Sequence, residues 1–217
     1  MVKLSTHGNF AARRSIFGRS FVKIRRAYLN DEPARNETPT MDAERLKALQ
    51  SPFKSRYKDD PSSALLTLKA VGRIGSETLT CKIETSRGIL EAGLHEAAGG
   101  DGLSLCSGDM LLESLVGCAG VTLRAVASAL GIEVPRGRII AEGELDFRGT
   151  LGVSKEVPVG FRAIRLKFEL ETDASAETVA TLIRLTERYC VVYQTLRQPP
   201  RFEVVTTRIP AAANPSE

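Results

Sequence analysis

The sequence predicts an α+β domain, and three observations predict it. Three short alternating apolar segments come first, between residues 64 and 94, with turn residues between them. One long, almost uncharged helical segment follows at 107–130. A second strand pair, a second amphipathic helix and a closing strand complete the order β-β-β-α-β-β-α-β, with no internal repeat. Strands that neighbour one another rather than alternating with helices argue for α+β over a parallel α/β sheet. The 217 residues suffice for one domain with an appendage. Apolar residues at 42% and charged residues at 26% are those of an ordinary globular protein. No run of eighteen consecutive apolar residues occurs, so no transmembrane helix and no membrane partner are expected.

Each element has a local reason. Residues 1–30 hold seven Lys/Arg and no acid. They fit an organelle transit peptide, a contact with an anionic surface, or a leader without a native role. Residues 31–40 read as linker, so 1–40 is taken as a basic leader. Met41, a possible translation start, opens a helix with Thr40 as its cap, and 41–60 is helix plus linker. The domain proper is expected over 61–210, with 211–217 a disordered tail. Ala64–Ile74, Thr78–Thr85 and Ile89–Leu94 are the first strands, and Ser86-Arg87-Gly88 is the turn between the last two. The Gly-rich loop that follows contains His95. Residues 107–130 carry only Asp109, Glu113 and Arg124 as charges, so this helix is expected to be buried nearly all round, with Gly131 stopping it. Residues 138–148 and 159–172 form an antiparallel strand pair, Ser175–Tyr189 the second helix, and Phe202–Ile209 the last strand.

Composition restricts the chemistry. Residues 1–60 have 13 Lys/Arg against 7 Asp/Glu, whereas 61–217 have 17 against 19. The basic charge therefore belongs to the leader, and the domain lacks the basic face that nucleic-acid binding needs. Two histidines, His7 and His95, exclude a His-rich metal site and leave a Ser-His-Asp triad only His95 to use. The four cysteines, Cys81, Cys106, Cys118 and Cys190, contain no C-x-x-C pair, so neither a zinc site nor a secreted disulfide scaffold is indicated. A reducing, cytoplasmic compartment is the default, with organelle targeting by residues 1–30 open. Cys81 reads as core and Cys106 as a spare thiol. Cys118 lies mid-helix on a stripe with Ser114, Val121 and Thr122, flanked by Gly117 and Gly120. It can be a small core residue or a reactive thiol with room beside it.

Two segments bear on that choice, SGDMLLESLVGCAGVTLR (107–124) and LTERYCVVYQTL (185–196). Together with the strands AEGELDFR and GFRAIRLKFE they resemble the OsmC/Ohr (osmotically inducible protein C / organic hydroperoxide resistance) family over about residues 60–210. The resemblance implies antiparallel sheets wrapped around two central helices in an intertwined homodimer. It implies thiol-dependent reduction of organic hydroperoxides, with Cys118 attacking the peroxide and Cys190 resolving the sulfenic acid. No bound cofactor or metal is implied, only an external dithiol, either lipoyl-type or a small thiol. It also implies an activating arginine held by an acid, positions that Arg87 and Asp109 match, with Glu113 a nearby alternative. Two departures stand out. Asp109 occupies a position where glutamate is usual, and Val191 one where proline usually follows the second cysteine. Two other readings compete: a non-catalytic member binding a hydrophobic small molecule in the dimer cleft, and a thioesterase of the hot-dog type using Asp109 or Glu113.

Overall fold

Asp42 starts the first helix, its carboxylate accepting the Arg45 amide at 2.8 Å. The structure is a computed structural model; it describes residues 41–209 of a chain that divides into two units, 1–40 and 41–217. The predicted leader, Thr40 as a cap and the 211–217 tail lie outside the described residues. Helix α1 (Ala43–Asp59) takes up nearly all of the stretch expected to be helix and linker, with Pro52 in its interior. A short 3-10 turn, Pro61–Ala64, follows, capped by Asp60.

The first sheet is smaller than the sequence suggests. Strand β1 is only Val71–Ile74, and residues 65–70 have no regular structure. A strand needs a partner. β1 pairs antiparallel with β2 (Cys81–Thr85) from Val71↔Glu84 to Ile74↔Cys81, and the chain before Val71 has no ladder to join. β3 (Gly88–Gly93) returns antiparallel to β2 through the Ser86-Arg87 turn. Gly88 there takes φ 145°, a conformation side chains rarely adopt. The two residues of β4 (Leu105–Cys106) lie parallel to β3, an exception to the antiparallel expectation. His95 closes the intervening turn, its Nδ1 accepting the Ala97 amide at 2.9 Å and its ring resting against Phe147.

Helix α2 (Ser107–Leu130) falls where the sequence puts it, and Gly131 ends it with φ 66°. Its burial is a correction. Leu115, Ala119, Leu123 and Ala127 are buried, one residue per turn, while Val121 is 74% exposed. Within one chain only one stripe of the helix is covered. By length and composition α2 is the one helix among the described residues apolar enough to cross a bilayer, since its glycines and serines break up the apolar run without adding charge.

β5 (Arg136–Glu144) and β6 (Ala163–Glu171) form a two-stranded antiparallel sheet, Arg136↔Glu171 to Glu144↔Ala163. Alternation decides its faces. Arg136–Glu171, Arg138–Glu169 and Lys167–Glu142 ion pairs sit on the outer face at 2.9, 2.9 and 2.6 Å. Ile139, Ala141, Ile164, Leu166 and Phe168 pack inward on the α2 stripe. The turn of helix α3 (Phe147–Thr150), capped by Asp146, lies between the two strands in sequence. Helix α4 (Ala176–Tyr189) is capped by Ser175, whose Oγ accepts the Thr178 amide at 3.2 Å; Leu182 buries it against Leu123 and Ala127. A helix the sequence did not announce, α5 (Val191–Arg197), follows at once. The last predicted strand is not formed: 202–209 has no regular structure, and Phe202, Val204, Val205 and Ile209 are exposed.

Candidate active site

The site is made where a helix breaks. Cys190 leaves the helical region with φ −74° and ψ 109°, so it ends α4 and begins α5. Its amide donates to the Thr186 carbonyl at 2.9 Å, and its carbonyl accepts the Gln194 amide at 2.9 Å. Its side chain is 1% exposed and packs with Leu115 and Ala119 of α2. Cys118, one turn on from Ser114 and half-buried, packs on the same cluster. Folding thus brings together two thiols that are 72 residues apart (190 − 118), both of them unbridged.

The two sulfurs have opposite electrostatics. Burial alone pushes the Cys118 thiol up. Against it stand the Val192 amide, the Cys190 thiol, the Val191 amide and the Thr122 hydroxyl, all donating toward the sulfur, and they hold Cys118 below the ordinary thiol range. Burial pushes the Cys190 thiol up as well, and there it wins: donating to Cys118 and facing its negative charge add to the effect, against the Tyr193 and Val192 amides. The result is a nucleophile beside a proton-holding partner. A thiolate is the reactive form of cysteine, and a neighbouring thiol can later attack an oxidised sulfur.

The donors explain the break. First-turn amides of a helix have no intrahelical acceptor, and those of α5 face the two sulfurs instead. Val191 matters here, because a proline at that position would have no N–H to give. Sequence reading placed Thr122 on the stripe of Cys118 but missed the Val191 and Val192 amides. Main-chain donors leave no mark in side-chain patterns, and the one available sign was the absence of proline at 191.

The remaining candidates lie elsewhere. Arg87 is exposed in the β2–β3 turn, its amide donating to Thr85 Oγ1 at 3.2 Å. Asp109 is exposed in the first turn of α2, where a carboxylate favours the helix dipole, and Glu113 is exposed one turn on. The groups that lower Cys118 most are uncharged donors. Cys81 is half-buried in β2 against Gly72, and Cys106 is the cap residue of α2 without a side-chain capping bond. Gly117 and Gly120 do not mark a close backbone approach: an added Cβ would meet open space at Gly117 and ordinary contact with Ile139, at 3.6 Å, at Gly120. No cluster of metal-ligating side chains occurs among the described residues.

Sheets on a central helix that presents one thiol to a second at a helix joint define a two-thiol α+β domain. Residues 100–205 match the family model described as OsmC-like protein. An OsmC-like protein of Mycoplasma pneumoniae superposes with a TM-score of 0.52 at 14% identity, covering 62% of this chain and 89% of that one. An OsmC-like protein of Vibrio cholerae gives 0.50 at 10% identity, covering 60% and 94%. An organic hydroperoxide resistance protein, OsmC, of Legionella pneumophila gives 0.48 at 19% identity, covering 62% and 91%. The first two likenesses establish the fold. No curated protein matches the sequence.

Proposed function

We propose that this protein is a thiol peroxidase that reduces organic hydroperoxides through a cycle of sulfenic acid and disulfide. The observation that carries the reading is the contact of Cys118 with Cys190 in one buried cluster, with their acidities displaced in opposite directions. The match of residues 100–205 to the OsmC-like family model supports it.

The Cys118 thiolate attacks the outer oxygen of the hydroperoxide. The O–O bond breaks, an S–O bond forms, and the alkoxide leaves as the alcohol after taking a proton. Cys118 is then a sulfenic acid. The Cys190 thiol, already in contact, gives up its proton and attacks that sulfur. Water leaves, and the Cys118–Cys190 disulfide forms. An external dithiol returns both cysteines to thiols, and no resident cofactor takes part. The amides of Val192 and Val191 help stabilise the anion at Cys118. Aliphatic neighbours such as Leu115 and Ile139 favour alkyl hydroperoxides over hydrogen peroxide, because an alkyl tail gains by leaving water.

The working form is a homodimer in a reducing, cytoplasmic compartment. Apolar residues that one chain leaves exposed, Ile74 and Ile89 on the first sheet, Leu79 in the bend before β2 and Val121 on α2, are the surface a second copy would cover. The test is consumption of cumene hydroperoxide with a dithiol as reductant. The proposal expects turnover by the wild type and none by Cys118→Ser; equal consumption by both would refute it.

A further inference from the structure

We infer that Gln194 is a positioning residue for the thiol pair: it holds open the α4–α5 joint by occupying a main-chain carbonyl that would otherwise close it. Its part in catalysis rests on the proposed role of Cys118 as the reacting thiol, to which it adds the device that keeps main-chain donors beside that sulfur.

An α-helix propagates by bonding each amide to the carbonyl four residues back. Continued through Cys190, α4 would place the Val191 amide on the Glu187 carbonyl, and the Val192 and Tyr193 amides on those of Arg188 and Tyr189. The chain does otherwise. The Cys190 amide still reaches the Thr186 carbonyl at 2.9 Å, and then the backbone turns extended, with ψ 109°. Helical bonding resumes where the Gln194 amide donates to the Cys190 carbonyl at 2.9 Å. Between these two bonds lie the amides of Val191, Val192 and Tyr193, and they face the two sulfurs.

The Gln194 side chain accounts for the first of these. Its Nε2 donates to the Glu187 carbonyl at 2.8 Å in a half-buried position. That carbonyl is the one a continuous helix would give to Val191. A carbonyl only accepts, so the N–H end of the glutamine amide must face it. The bond does two things. It satisfies an orphan carbonyl in the last turn of α4, and it takes away the acceptor that would compete for the Val191 N–H. Without it, the most direct partner for the Glu187 carbonyl is the Val191 amide, and reaching it requires Cys190 to become helical. That change would draw the Val191 amide away from Cys118. Gln194 bonds on both sides of the break, through its side chain to Glu187 and through its own amide to Cys190. Every bond named lies within one chain.

Proline at 191 separates this role from plain packing. It has no N–H to compete for the carbonyl, and its ring keeps the preceding residue out of the helical region. With Val191→Pro the joint stays open whatever stands at 194.

The experiment titrates the ultraviolet absorbance of the thiolate in the full chain, as the difference from the same chain carrying Cys118→Ser. No reagent has to reach the sulfur. Gln194→Met is close in size and lacks the donor; Gln194→Ala replaces it if far-UV circular dichroism shows the methionine variant unfolded. The Cys118 midpoint should rise in the Gln194 variant, and should rise no further when the same change is added to Val191→Pro. An unchanged midpoint in the folded Gln194 variant would overturn the inference. So would an equal rise on both backgrounds, the additive result that loosened packing alone would give. Cumene hydroperoxide turnover is read separately. If the wild type shows no turnover, the expected shift would still uphold the action of Gln194 on Cys118 and would refute the peroxidase reading.

Discussion

The two sheets of this domain are treated differently by the chain that makes them. The β5–β6 sheet packs its apolar face on α2, and the buried hydrophobic residues Leu115, Ala119, Leu123, Ala127, Val134, Leu182 and Cys190 all lie between α2 and the start of α5. The β1–β4 sheet has no buried residue in its first three strands, and Ile74, Ile89 and Leu90 are exposed. The thiol pair lies in the half that the chain covers by itself. Chemistry that depends on a desolvated, oriented pair of sulfurs needs that cover. The other half has apolar surface to give to a second copy.

The largest effect should come at the site. Cys118→Ser removes the nucleophile and should lower cumene hydroperoxide turnover by at least about a thousandfold, measured by peroxide consumption. The folded fraction should not change. Stability comes next. Leu182→Ala, in the self-covered half, should cost about 2–5 kcal/mol in urea unfolding, because it opens a cavity in a fully buried position. Ile89→Asp, in the uncovered half, tests what that sheet is for. Sedimentation should shift from two chains to one, and an unchanged assembly would remove the first sheet from the interface.

Smaller effects probe the electrostatics. Val191→Pro removes a single N–H at the first position of α5, where proline is well tolerated, and the residue before it is already extended. Because that amide helps hold the Cys118 thiol down, the midpoint of its alkylation profile should rise. Val191→Ala, which keeps the N–H, should leave the profile in place. At the far end of the scale is Asp146. The Arg148 guanidinium beside it, at 2.6 Å, holds its carboxyl down at about 2. A carboxyl lowered on folding stabilises above its unfolded range and loses that contribution as pH falls through the folded value. A slight loss of stability is therefore expected as the pH is lowered from about 4 toward 2, absent in Asp146→Asn.

The same contrast explains what was legible in the sequence. Helix α2 was legible residue by residue, because an apolar period, a stop glycine and two cysteine-bearing segments agree. The β5–β6 pair was legible because its alternation is satisfied within the chain. The first part of the strand predicted at Ala64–Ile74 and the strand predicted at 202–209 carry alternation too, yet neither forms, since a strand pattern states what a segment can pair with and not whether a partner is present. Helix α5 was missed because Val191 and Val192 are β-branched and follow a residue that breaks α4; its first turn is favoured by what its amides meet, not by its side chains. The sulfur pair itself was suggested by family resemblance; sequence separation alone leaves four cysteines equivalent.

The most direct test of the central claim is a thiol count after one turnover. One equivalent of cumene hydroperoxide is added to the reduced protein, free thiols are titrated, and the oxidised peptides are mapped. The account predicts the loss of two thiols per chain and one disulfide, joining Cys118 to Cys190, with Cys81 and Cys106 still free. Retention of all four thiols, or a disulfide that omits Cys118 or Cys190, would contradict it.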